Sequence, residues 1–339
     1  MGRAPAPTPH DERPLISVGI CHHTGQLIHR CLESVRASQG VRYEILVCTS
    51  TQEAYPGCQM LYDQGGPAHK RNLLAQASQG SILVYLDDDV EVSPYCLYEL
   101  WQGLDRPGVG MVFAKIRNME RRQELDDCGS WLTWTGFLWA RAGNWQRDTG
   151  QYDTPQPILA SKSATCAIWR RVFFDVGGFD ASYFILGEET DLAWRCWLRG
   201  HHVWYWPAAV SWHAFNTTFK PKPAYYTLER IHYRGVRNYL SLLWTTLGTL
   251  RLLSILPIHL AVWTMALLGF ALRGQWDRAQ HLARGLWDFW THLPHAKRRQ
   301  VQASRILSDR DLQLHIAYAP PARYYVGRLL RYITQGLHG

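Results

Sequence analysis

Residues 81–92 read SILVYLDDDVEV, an unbroken apolar run from Ile82 to Leu86 that stops at three consecutive carboxylates, Asp87, Asp88 and Asp89. A short apolar run bounded by polar residues predicts a strand buried on both faces, the pattern of a parallel sheet. Working outward, AHKRNLLAQASQG (68–80) predicts a helix closed by Gly80, and YEILVCTS (43–50) a second buried strand. Further upstream LISVGI (15–20) repeats the strand signal. After the polar break CHHTG comes QLIHRCLESVRASQG, with Leu27, Ile28, Cys31, Leu32 and Val35 spaced for one face of a helix. Strand, helix, strand, helix, strand at this spacing implies an α/β, Rossmann-like and mainly parallel sheet flanked by helices. Ligands in such sheets bind beyond the carboxyl ends of the strands, which is where the three aspartates fall.

Downstream, 94–106 predicts a helix and GVGMVFAKI (108–116) a strand. Residues 128–157 read as an aromatic loop region with Trp131, Trp134, Trp139 and Trp145, of which the first three could stack on a ligand, touch lipid or form core. CAIWRRVFFDVGGFD (166–180) and a helix beginning near Glu189 lead to HHVWYWPAAVSWH (201–213), a β-rich stretch interrupted by Pro207. Three regions are expected: a disordered tail at 1–14, a catalytic α/β domain at 15–215 and a basic, apolar helical region at 216–339.

The 339 residues carry 36 Lys+Arg and 28 Asp+Glu with 47% hydrophobic residues, which excludes a disordered or low-complexity chain. The net charge of +8 is uneven. Residues 1–215 hold 19 basic and 23 acidic residues, and 216–339 hold 17 and 5. The basic part includes LLSILPIHLAVWTMALLGFAL (252–272), 21 residues without Lys, Arg, Asp or Glu. It could span a bilayer, dip in as a hairpin bent near Pro257, or pack as a core helix. Pro257 and His259 favour the monotopic form. Basic residues flanking apolar helices, with Lys297-Arg298-Arg299 beyond them, point to a membrane surface and not to nucleic acid. Eight cysteines without a CxxC pair, and an N-terminus without an apolar signal core, predict a reducing compartment on the cytoplasmic side, with peripheral or monotopic attachment.

Three adjacent carboxylates at a strand end repel one another and resist burial, so they predict a bound cation, the alternative being a solvated Asp-rich turn. In an extended chain Asp87 and Asp89 face one way and Asp88 the other. Hard oxygen ligands favour Mg²⁺ or Mn²⁺, alone or with a nucleoside diphosphate. A second acidic cluster, Glu188, Glu189 and Asp191, opens the helix LAWRCWLRG, where carboxylates also serve as caps; that reading suits Asp191 best.

LISVGI with its helix, GGPAHKRNLLAQASQG, YLDDDVEVSP, RRVFFDVGGFD, GEETDLAWR and the SWH of His213 resemble, in order, the family 2 glycosyltransferases of the GT-A fold. The tail is similar to that of bacterial rhamnosyltransferase-like members that build cell-surface glycans on lipid carriers. The resemblance implies a metal-dependent inverting transfer of a hexose or deoxyhexose from a nucleotide-sugar to a glycan or lipid-linked acceptor. Asp87 would lie against the nucleotide and Asp89 would hold the cation. His213 would complete the metal site or be a satisfied buried histidine. Glu189 would be the general base, with Glu188 the other candidate. Lys70 and Arg71 would reach the diphosphate; alternatively they decorate an exposed helix start. His22, Thr24, Thr49 and Asp88 would line the nucleotide. Two departures stand out: Cys21-His22-His23-Thr24 replaces the usual Pro-Thr-aromatic-Asn ending of the first strand, and Thr49 stands where an Asp usually reads the base. A nucleotidyltransferase of similar build, or an inactive membrane scaffold in a glycan-assembly complex, are the alternatives; CHHTG lacks the Lys the former would want.

Overall fold

The computed structural model describes residues 13–23, 25–142, 146–214, 229–319, 325–327 and 330; the expected tail, Thr24, Trp145 and the boundary at Phe215 lie outside this set, apart from Arg13 and Pro14. The first half follows the expected alternation: β1 (Leu15–His22), α1 (Leu27–Arg36), β2 (Arg42–Thr49), β3 (Gln59–Tyr62), α2 (Pro67–Ala77) and β4 (Ile82–Asp87). Strand β3 is an addition at the sheet edge, too short and too exposed to carry a sequence signal. After it come β5 (Val90–Val92), α3 (Cys96–Leu104), β6 (Val109–Asn118), β7 (Leu125–Asp127), β8 (Ser130–Thr133), β9 (Leu138–Ala140), β10 (Gln156–Pro157), β11 (Thr165–Trp169), α4 (Arg170–Asp175), α5 (Glu188–Leu198) and β12 (His202–His213). Residues 128–157 are thus not simply a loop region. Trp131 is buried on β8, and Trp134 is exposed in the turn to β9.

The main sheet runs β10-β12-β6-β11-β4-β1-β2-β3. Strands β4, β1, β2 and β3 are parallel, whereas β11 is antiparallel to both β4 and β6. Alternate residues of β4 feed two cores: Ile82, Val84 and Leu86 pack with Ile28, Val35 and Leu97 from α1 and α3, while Leu83 and Tyr85 pack with Leu74 and Phe173 from α2 and α4. Helices on both faces explain why that strand is apolar at every position. Gly19 of β1 permits close approach of α2, since a Cβ there would stand 3.3 Å from Leu74. Strand β12 is not ended by Pro207; it absorbs the proline as an irregularity between Trp206 and Val210 and continues to His213.

The C-terminal elements are α6 (Gly235–Thr246), α7 (Thr249–Leu272), α8 (Trp276–Thr291), α9 (His295–Ala303), α10 (Asp309–Ile316) and β13 (Ala317–Tyr318). Leu240, Leu243, Ile255, Phe270 and Phe289 join the same core as Trp194 and Trp197 of α5, and β13 pairs with β8. Of the three forms open to this stretch, the hairpin bent near Pro257 does not form. Helix α7 continues through the proline for 24 residues, forgoing the one hydrogen bond its nitrogen cannot donate. It is neither a core helix nor free of the protein: Leu252, Ile255, His259, Ala266 and Phe270 are buried, whereas Leu250, Leu253, Met265, Leu268 and Leu272 are exposed.

Part of the tail's positive charge also turns inward. Lys297 donates to Asp180 at 2.5 Å and to Asp191 at 2.7 Å, and Arg298 donates to the carbonyls of Trp244 and Leu247. Lys297 thus ties α9 to the α/β domain and Arg298 ties it to the end of α6, while Arg273, Arg284 and Arg299 are among those facing solvent.

Candidate active site

The chain leaves β4 in a tight turn at Asp88 and Asp89 and re-enters the sheet as β5 beside β12. The turn, not an extended strand, separates the three carboxylates, yet the separation is the expected one. Asp87 and Asp89 converge with His213, the last residue of β12, so that one ligand atom from each lies within 4.8 Å of the others. Asp88 points the other way, its Oδ2 2.7 Å from Nδ1 of the buried His22. On its far side His22 faces Glu53 at 3.5 Å and the edge of Tyr55.

Asp89 is 3% exposed, and its Oδ1 is 3.5 Å from Nε2 of His213. The other imidazole nitrogen, Nδ1, is 2.9 Å from Asp126 of β7, whose second oxygen accepts from Lys162 at 2.5 Å. Burial works against protonation of His213, and the Asp89 and Asp126 carboxylates outweigh it, raising the imidazole to about 10. For Asp126, burial is outweighed by Lys162 and His213, which hold it below the usual carboxylate range. Two carboxylates and an imidazole form a donor set that fits a divalent cation of the Mn²⁺ or Mg²⁺ kind, in a pocket already negative enough to trap a proton.

Arg71 joins this cluster to the second one. Its guanidinium, 2% exposed, donates to Asp87 Oδ1 at 2.8 Å and to Glu188 Oε1 at 3.4 Å. Burial opposes its charge, but Asp87 and Glu188 more than compensate and keep Arg71 protonated beyond its ordinary range. The arginine is therefore a buried strut and not a decoration of an exposed helix start. Lys70 is likewise taken up below the surface, donating to the His22 carbonyl at 3.0 Å and to Ser50 Oγ at 2.6 Å, where it ties the end of β1 to the end of β2. Thr49 is fully buried at the end of β2, where its hydroxyl pairs with that of Thr51 and accepts from the Thr51 amide.

Helix α5 starts at Glu188, preceded by Gly187 in a left-handed conformation at φ 95°. Phe184 and Leu186 also carry positive φ, 59° and 72°, so the loop that delivers the two glutamates is strained. Asn238 of α6 holds it, its amide donating to the carbonyls of Tyr183, Ile185 and Leu186 at 2.9–3.1 Å. Burial raises the Glu188 carboxyl. Glu189 is raised well above the usual range, first by burial and then by the neighbouring Glu188. A carboxylate so tuned is a stronger base than free glutamate. Asp191 does not join them: it is fully buried, held by Arg195 at 2.6 Å and by Lys297. The motif's third acid thus anchors α5 through two cations and does not cap the helix in the way its position had suggested, since no side chain caps the N-terminus of α5.

Asp126, Lys162 and Asn238 escaped the sequence reading because each acts on a residue 52–87 positions away or on a partner in another strand, and none sits in a local pattern.

The family model for "Glycosyltransferase like family 2" matches residues 16–226. The O-antigen biosynthesis protein RfbC of Myxococcus xanthus is 31% identical over 142 residues, 39% of this chain and 11% of that protein. The chain spans less than two thirds of the length of the curated relatives it matches. Among solved structures, GalNAc-T7 with UDP, GalNAc and Mn²⁺ superposes with a TM-score of 0.56 at 15% identity, covering 84% of this chain and 59% of that one. The mannosyltransferase PcManGT of Pyrobaculum calidifontis, in complex with GDP-Man and Mn²⁺, gives 0.50 at 17% identity, covering 96% and 87%. The mixed, mostly parallel sheet flanked by helices is therefore the GT-A architecture.

Proposed function

This chain belongs to the glycosyltransferase-like family 2, and from that membership we propose that it is a metal-dependent, inverting glycosyltransferase. It transfers a hexose or deoxyhexose from a nucleotide-sugar onto a hydroxyl of a lipid-linked or cell-surface glycan precursor. The observation that carries this reading is the convergence of Asp87, Asp89 and His213 on one point, joined through the single guanidinium of Arg71 to Glu188 at the start of α5. A Mg²⁺ or Mn²⁺ held there supplies Lewis-acid neutralisation of the charge that builds on the departing nucleoside diphosphate. Glu189 takes the proton from the acceptor hydroxyl as its oxygen bonds to the anomeric carbon and the bond from that carbon to the diphosphate breaks, a single displacement that inverts the centre. Arg71 holds Asp87 and Glu188 at fixed separation, so the donor side and the base side keep their register. Asp88 and His22 brace the end of β1 beneath the nucleotide. GalNAc-T7 was solved with UDP and PcManGT with GDP-Man, and the departure at Thr49 leaves the base of this donor to experiment. Calorimetry of UDP, GDP, dTDP and CDP with and without Mn²⁺ is expected to give binding that requires the metal; no metal-dependent binding to any of the four would overturn the reading.

Membrane attachment through the helical region is part of the same proposal. The exposed face of α7 presents Leu250, Leu253, Pro257, Ile258, Ala261, Met265, Leu268 and Leu272 at three- and four-residue spacing along a helix about 36 Å long. It is long and apolar enough to cross a membrane. Its opposite face is fixed to the protein, which supports a helix lying in the interface of the cytoplasmic leaflet. The eight unpaired cysteines accord with that compartment. Introducing Leu253→Asp with Leu268→Asp removes two side chains worth about 1.5–3 kcal/mol each on burial. Flotation with phosphatidylglycerol–phosphatidylcholine vesicles is expected to fall by more than about tenfold, and unchanged flotation would exclude this face as the anchor.

A further inference from the structure

We propose that Asp126 is the positioning residue of the metal site, holding the His213 ring so that Nε2 alone is presented to the ion, with Lys162 occupying the other carboxylate oxygen. The inference rests on the reading of Asp87, Asp89 and His213 as metal ligands. A histidine ligates through the ring nitrogen that carries no proton, and a carboxylate bonded to the opposite N–H both selects that tautomer and fixes the ring plane. The geometry here has that form. Asp126 Oδ2 lies 2.9 Å from His213 Nδ1, and His213 Nε2 is the atom directed at Asp89. The contact is built by the sheet: β12 and β7 flank β6, placing His213 opposite Asn118 and Asp127 opposite Ile116. Asp126 and His213 are 9% and 7% exposed, so neither swings freely.

Lys162 explains why Asp126 orients the ligand and does not compete for the ion. It reaches Asp126 Oδ1 from the loop before β11, and the next residues of that loop lie against the metal cluster, with the Asp87 amide donating to the Ala164 carbonyl at 3.2 Å. Asp127, the neighbouring acid, is turned aside and accepts from Ser161 and from the Gly129 amide. One carboxylate of the Asp126-Asp127 pair thus serves the histidine and the other serves the loop that carries Lys162.

Electron paramagnetic resonance titration with Mn²⁺, alone and with UDP, GDP or dTDP present, tests this on the full chain. Asp126→Asn is expected to weaken Mn²⁺ binding about 10–100-fold, the range for outer partners of a ligating histidine. The double variant Asp126→Asn/Lys162→Met removes both members of the Asp126–Lys162 ion pair and should show the same loss of Mn²⁺ affinity whatever its melting temperature, measured alongside, which separates orientation of the ligand from stability. Asp175→Asn, at an exposed pair with Arg199, should bind as the wild type does. Mn²⁺ affinity within twofold of wild type in both Asp126 variants would overturn the inference while leaving the metal site in place. No Mn²⁺ binding by the wild type under any of these conditions would overturn the proposed function and the inference together.

Discussion

Asp89→Ala is expected to abolish the metal dependence of nucleoside diphosphate binding, weakening Mn²⁺ by more than the roughly 100-fold ceiling for an outer partner, because it removes a ligand itself. Asp89 is the most deeply placed of the three donors, 3% exposed at the turn between β4 and β5, and its main-chain carbonyl accepts from the Ala214 amide just beyond His213. Its loss would leave Asp87 and His213, two donors on separate strands, to hold an ion that prefers six. Asp89→Asn keeps the shape of the turn and removes only the charge, so it should reproduce the loss without unfolding. Calorimetry with Mn²⁺ and the nucleotide panel reads the effect directly. Retention of metal-dependent binding within tenfold in both variants would move the ion to other residues.

Glu189→Gln is expected to spare donor binding and to lower turnover by about 10²–10⁴-fold, the usual contribution of a general base. The amide is nearly isosteric with the acid but accepts no proton. In the wild type, activity should fall as pH drops through the raised pKa of Glu189, at a higher pH than an ordinary glutamate would give, since the base works only when ionised. The variant should lose that acid limb. Glu188→Gln should behave differently, because Glu188 is an ion-pair partner of the buried Arg71. Its loss would be expected in melting temperature before turnover. If Glu188→Gln loses turnover and its pH limb while Glu189→Gln keeps both, the base is Glu188.

Much of this site is legible in the sequence, for a local reason. SILVYLDDD declares a strand buried on both faces with charge at its end, and a parallel sheet offers that end as a binding edge. The pairing of Asp87 with Asp89 on one side and Asp88 on the other follows from the same short stretch, although a turn and not an extended strand delivers it. The roles of Arg71, Lys70 and Thr49 are less legible. Residue type says that an arginine suits a diphosphate, but only packing shows the guanidinium spent between Asp87 and Glu188, the lysine between two strand ends, and the threonine hydroxyl closed on Thr51.

The basic tail divides in the same way. Its composition marks a helical region with a membrane-length apolar helix. Composition does not reveal that Asn238 braces the loop before α5, or that Lys297 closes on Asp191. By itself, then, the sequence determined the α/β sheet, the acidic strand end and the helix carrying the candidate bases, because apolar periodicity and charge act over a few residues. Only the tertiary structure decided that His213 joins Asp87 and Asp89, which basic side chains are already matched, and that Asp126 lies behind His213. Those relations join residues tens of positions apart through strand order and register, which local patterns do not encode.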